Sequence, residues 1–75
     1  MTASPTLVNG EPYALDAPLP VADLVARLVP AFAAERTARG IAVAVDDAVV
    51  PRSTWESTTV RPGARVEIVG AVQGG

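Results

Sequence analysis

The sequence contains no cysteine, no histidine and no lysine, and only one residue each of tryptophan, tyrosine, phenylalanine and methionine. Without cysteine, neither a disulfide nor a thiolate zinc site can supplement a small core. Without histidine, the usual general base and the commonest metal ligand are both missing. A serine or cysteine triad and a histidine-bearing metal site are therefore excluded by inventory, which argues against an autonomous enzyme. Only an all-carboxylate site is left, and the closest acidic pair, Asp46-Asp47, consists of neighbours whose side chains diverge. That pair reads as a solvated turn. A net charge of -2 with no basic run argues against nucleic acid or an anionic membrane as partner. No apolar stretch approaches the roughly 20 residues of a membrane span, and no charged segment followed by an apolar one opens the chain. The expected location is cytoplasmic. The missing lysine reads first as a compositional lean toward Arg, Ala, Val and Pro.

What is present is a chain of 75 residues, 49% of them hydrophobic, enough for one small collapsed domain over residues 1–75. "TLVNGEPYAL" sets two apolar runs around Asn9-Gly10, a strong hairpin signal because a type I′ turn needs positive φ at both central residues. It predicts an antiparallel pair, Thr6–Val8 and Tyr13–Leu15, with Pro12 at an edge or strand start, where its missing N–H does no harm. In "LPVADLVARLVPAF", Val21, Leu24, Val25 and Leu28 fall at i, i+3, i+4 and i+7, a helix burying that stripe, with Phe32 extending the core. Pro20 suits the first helical turn, and Pro30 stops or kinks the helix near Val29. "AFAAERTARG" reads as a further short helical piece, stopped by Gly40. "IAVAVDDAVV" is strand, Asp46-Asp47 turn, short strand. "PRSTWESTTV" is irregular or one turn of 3₁₀ helix, with Trp55 as a packing residue. A type II turn at Pro62-Gly63 leads into "RVEIV", where Val66 and Ile68 share one face, with Arg65 and Glu67 on the other. The order, strand–strand–helix–strand–short strand–strand, predicts an α+β domain of four to five strands with one main helix across one face of the sheet.

From Ala42 to Gly75 the chain resembles the ThiS family, the ubiquitin-like sulfur carriers of thiamin biosynthesis. The matching elements are a strand, "VVPRSTW", a Pro-Gly turn, "RVEIV" and the closing "GG". The N-terminal half agrees in layout. The leader before Thr6 is slightly longer than in the family, and Gln73 stands where a small residue is usual. The resemblance implies a β-grasp fold and a non-enzymatic role as protein co-substrate. In that role an adenylating enzyme (ThiF-like) activates the carboxylate of Gly75, using ATP and magnesium. Sulfur from a persulfide donor then converts it to a thiocarboxylate, which a thiazole synthase (ThiG-like) consumes. No cofactor is expected on the domain itself.

The tail suits such chemistry. A carboxylate accepts nucleophiles only once an oxygen is turned into a leaving group, inside a dry and charge-stabilising site. Gly74 and Gly75 lack Cβ atoms and let the backbone lie close to a nucleotide, with Gln73 threading behind them. At roughly 3.3–3.6 Å per residue, Gly70 to Gly75 spans about 20 Å. Val69, Ala71 and Val72 are candidate partner-surface residues, because the alternation that turns Val66 and Ile68 inward turns Val69 outward. A bulge at Gly70 that folds these groups back is the alternative. Arg52 is a candidate contact for an acidic partner surface, set against a local ion pair. Two rival functions are a carrier of the molybdopterin-synthase small-subunit type and a ubiquitin-like interaction module or modifier.

Overall fold

The computed structural model describes residues 5–30 and 40–70. The reading of "AFAAERTARG" as helical, the place of Phe32, and the tail residues Ala71, Val72, Gln73, Gly74 and Gly75 fall outside them.

The first two strands, β1 (Thr6–Val8) and β2 (Glu11–Tyr13), pair antiparallel around Asn9-Gly10. Both turn residues have positive φ, 54° and 84°, as the I′ geometry requires. The second strand lies earlier than the expected Tyr13–Leu15. The reason is the two-residue loop: it sets Val8 opposite Glu11 and Thr6 opposite Tyr13, so pairing is used up by Tyr13. Pro12 sits on this outermost strand, where a missing donor costs nothing.

After a two-residue strand β3 (Leu19–Pro20), α1 covers Val21–Leu28. Pro20 stands just outside the helix as its N-cap and offers no side-chain cap. Backbone carbonyls from a distant loop do the work instead: Val21 N–H donates to Thr58 O at 2.8 Å and Ala22 N–H to Trp55 O at 3.0 Å. Two of the helix's orphan donors are thereby satisfied across the fold. Val21, Ala22, Leu24 and Val25 are buried, but Leu28 is 38% exposed, which corrects its place in the expected core stripe. Leu28 is the last helical residue, with Val29 already in extended conformation, so it falls past the layer that Val43 and Val66 fill. There it lines a cleft with Val29, Ile41 and Ile68.

The second half supplies β4 (Ile41–Val45), β5 (Ala48–Val49), a 3₁₀ turn (Arg52–Thr54), β6 (Thr59–Val60) and β7 (Arg65–Gly70). Five strands form one mixed sheet in the order β2-β1-β7-β4-β5, with β1 parallel to β7 and the other neighbours antiparallel. The short β3 and β6 pair separately; two-residue strands leave no periodicity in a sequence, and neither was expected. Val43, Val66, Val60 and Trp55 close against the helix residues in one core. Each fully buried Val or Leu side chain contributes about 1.5–3 kcal/mol. This is the α+β, β-grasp architecture: among the described residues, one helix lies across one face of a mixed sheet.

Candidate functional site

The candidate site is the root of the C-terminal tail, and its setting follows from strand order. β7 is the third of five strands, flanked by β1 and β4. On the β4 side, pairing continues to the last described residue, with Gly70 opposite Ile41. On the other side, β1 pairs only as far as Val66. Past that point the Asn9 side chain takes over: its Oδ1 accepts the Ile68 N–H at 2.8 Å, while Asn9 N–H donates to Val66 O at 2.8 Å. The tail thus leaves from the best-anchored strand of the sheet.

Two further clips fix the base of that strand. Thr6, buried to 3% exposure, accepts the Gly63 N–H through Oγ1 at 2.8 Å, and Gly63 adopts φ 95°, as the type II turn demands. Asp46 and Asp47 both have positive φ and form the tight turn between β4 and β5. They are more than solvated. Asp46 Oδ1 accepts the Arg65 N–H at 2.9 Å, and Asp47 pairs with the Arg65 guanidinium. The hydrogen bond that the Arg65 guanidinium donates to Asp47, with the charge of that carboxylate, holds Arg65 above its ordinary pKa.

"VVPRSTW" leaves β5 after Val49 and runs through the 3₁₀ turn Arg52–Thr54, with Val50 and Trp55 in the core. Trp55 is 1% exposed, and its indole N–H donates to Val50 O at 2.9 Å. The ring packs in the core, as a single tryptophan in a small domain should. Arg52 is exposed, and its guanidinium lies 5.2 Å from the Trp55 ring centroid. The cation–π contact has a sequence signal: residues at i and i+3 eclipse in a 3₁₀ turn.

Val69 is 64% exposed and points away from the helix, since its neighbours Val66 and Ile68 pack on the core side. β7 runs straight through it to Gly70, so the bulge alternative stops short of Val69. Arg52 belongs to the loop after β5 and Val69 to the outer face of β7, and no described contact brings them together. Among the described residues no group of His, Cys, Asp or Glu could hold a metal ion, and no helix is long and apolar enough to cross a membrane.

Among the described residues, a mixed five-stranded sheet with β7 at its centre and one helix across a face define a β-grasp domain. The chain belongs to the ThiS family, whose model matches residues 6–75, and so to the small sulfur carriers of thiamin biosynthesis. It is similar to the crystal structure of the thiamine biosynthesis protein ThiS from Geobacter metallireducens. Identity is 29%, the match covers 93% of this chain and 97% of that one, and the TM-score is 0.70. The solution structure of a thiamine biosynthesis protein from the same organism gives 29% identity, 95% and 87% coverage, and a TM-score of 0.71. No curated protein matches this chain.

Proposed function

We propose that this domain carries sulfur as a thiocarboxylate on Gly75 for assembly of the thiamin thiazole. A Gly75 carboxylate oxygen attacks the α-phosphorus of ATP on a ThiF-like adenylating enzyme, with magnesium, and pyrophosphate leaves. A persulfide sulfur then attacks the acyl carbon and AMP leaves. A thiol cleaves the resulting acyl disulfide, and the thiocarboxylate is freed for a ThiG-like synthase. The chain's own contribution is mechanical: β7 leads into the closing residues, of which Gly74 and Gly75 offer no side chain to obstruct a narrow channel. Docking such a segment costs conformational entropy, which suits a shuttle that must leave each partner.

The observation that carries this reading is the family match over residues 6–75 on a fold whose central strand leads into the diglycine. The "VVPRSTW" loop favours the thiamin carrier over the molybdopterin-synthase type, which shares the fold and the diglycine. The test is intact-protein mass after incubation with a purified adenylating enzyme, ATP, magnesium and a cysteine-derived persulfide source. The expected product is heavier by one oxygen-to-sulfur exchange, at the C-terminus. An unchanged mass beside a positive control carrier defeats the reading.

A further inference from the structure

All six cationic side chains of this protein are arginine. A guanidinium stays protonated in a protein, so it keeps the charge of a lysine without the amine lone pair that attacks acyl groups. The difference bears on Gly75. An acyl-adenylate is open to any neutral amine or thiolate. The nucleophile bonds to the acyl carbon, the C–O bond to AMP breaks with its electron pair, and an attacking amine gives up its proton to water. A lysine on the chain would turn the activated end into an amide, as a ring or as one copy linked to another.

Fully extended, the chain from Gly70 to Gly75 reaches about 20 Å. Neighbouring strands lie about 4.8 Å apart, so that reach covers β1 and β4 on either side of β7. The cleft that Gly70 helps to line has aliphatic walls, with Asn9, Glu11 and Tyr13 as its polar members. The Tyr13 hydroxyl accepts an N–H from Arg27 at 3.5 Å. Other hydroxyls are engaged too: Thr6 is buried and accepts the Gly63 N–H, while Thr54 and Ser57 donate to backbone carbonyls. A hydroxyl attacks poorly without a base to take its proton, and the chain has no histidine. On β7 itself the cation is Arg65, exposed and paired with Asp47. A lysine there could keep the pair but would add an amine to the tail strand. Resting on the function proposed above, we infer that this carrier is closed to its own activated end. No side chain, on the same copy or another, accepts the acyl group of Gly75, and every transfer goes to a nucleophile of a different molecule. The activated carrier therefore neither cyclises nor links into chains of itself while it waits for sulfur.

The experiment uses the full chain, acetylated at its N-terminus and carrying Gly75 as the thioester of a small thiol, made by intein cleavage. The thioester stands in for the acyl-adenylate and needs no partner enzyme. Its fate in mildly alkaline buffer is followed by intact mass and denaturing gels for wild type, V69K and V69R. Val69 is 64% exposed at the tail root, so both variants add the same charge there and only V69K adds an amine. Circular dichroism and thermal melts check that each is folded. Wild type and V69R are expected to decay by hydrolysis to the free acid alone. V69K is expected to lose its thiol about tenfold faster or more, to a ring or a linked dimer, because the amine is held beside the acyl group. A ring or dimer from wild type shows an acceptor on the chain and overturns the inference. V69K that decays no faster than V69R overturns it as well, since the missing amine is then not what spares the end. Loading of unmodified wild type by the adenylating enzyme, ATP, magnesium and a persulfide source is scored separately. An inert thioester on a chain that is never loaded defeats the function, and the inference falls with it because no activated end then exists.

Discussion

The side chain of Asn9 holds the backbone of Ile68, 59 positions further along the chain, through a 2.8 Å hydrogen bond. One residue thereby turns the first hairpin, at φ 54°, and finishes the pairing of the strand from which the tail departs. N9G keeps the left-handed backbone and loses the acceptor; it is expected to cost about 1 kcal/mol. N9A loses both and is expected to cost about 2–3 kcal/mol. Urea denaturation of the two variants checks the order; equal stabilities would show that the side-chain bond contributes nothing.

Trp55 joins the "VVPRSTW" loop to the core and, through its own carbonyl, to the start of the helix. W55F retains most of the ring but leaves the Val50 carbonyl without its indole donor, for a loss of about 1–3 kcal/mol. W55A also opens a cavity, and about 3–5 kcal/mol is expected. Thermal melts with fluorescence-independent detection distinguish the two.

Thr6 is the buried polar side chain among the described residues, and its hydroxyl accepts the Gly63 amide. T6V is nearly isosteric and strands that amide, a loss of about 1–3 kcal/mol; T6S keeps the oxygen and is expected to lose less. Hydrogen exchange at the Gly63 amide should accelerate in T6V and stay slow in T6S.

Stability is expected to be flat between about pH 6 and 9. The chain has no histidine and no cysteine, so no side chain ordinarily titrates through the middle of that window. Among the described residues the shifted group is Arg65, whose folded pKa is raised. Its contribution is fully present below the unfolded value and fades only as pH climbs through the folded one, in strongly alkaline solution. Urea midpoints across the window test this; a slope near 1.4 kcal/mol per pH unit would reveal an unsuspected proton.

Extending the chain by one residue beyond Gly75 is expected to abolish thiocarboxylate formation while leaving the melting temperature unchanged. The carboxylate is then displaced from the reacting position, and no contact described within residues 5–30 and 40–70 is changed. Loading at the wild-type rate would separate the diglycine from the function.

Much of this was legible from local chemistry. Asn9-Gly10, Pro62-Gly63 and Asp46-Asp47 announce turns because each needs backbone angles that few other residues tolerate. Val21, Leu24 and Val25 announce a buried helix face by their spacing, and "VVPRSTW" with the closing diglycine pointed to the family. The alternation in "RVEIV" offered an outward Val69 against a bulge at Gly70, and the paired, exposed Val69 decides between them.

What the sequence could not reveal is which distant pieces meet. Strand order, parallel pairing of β1 with β7, and the small β3–β6 sheet depend on contacts far apart in the chain, whose energies no local pattern encodes. The same is true of the carbonyls of Trp55 and Thr58 that start a helix lacking its own cap, and of Leu28, whose apolar spacing was correct but whose layer had ended. The sequence determined the hairpin, the main helix, the longer strands and the chemical character of the tail. Only tertiary structure decided that the tail grows from the central strand, because that place is set by the hydrogen bonds Asn9, β1 and β4 make to β7.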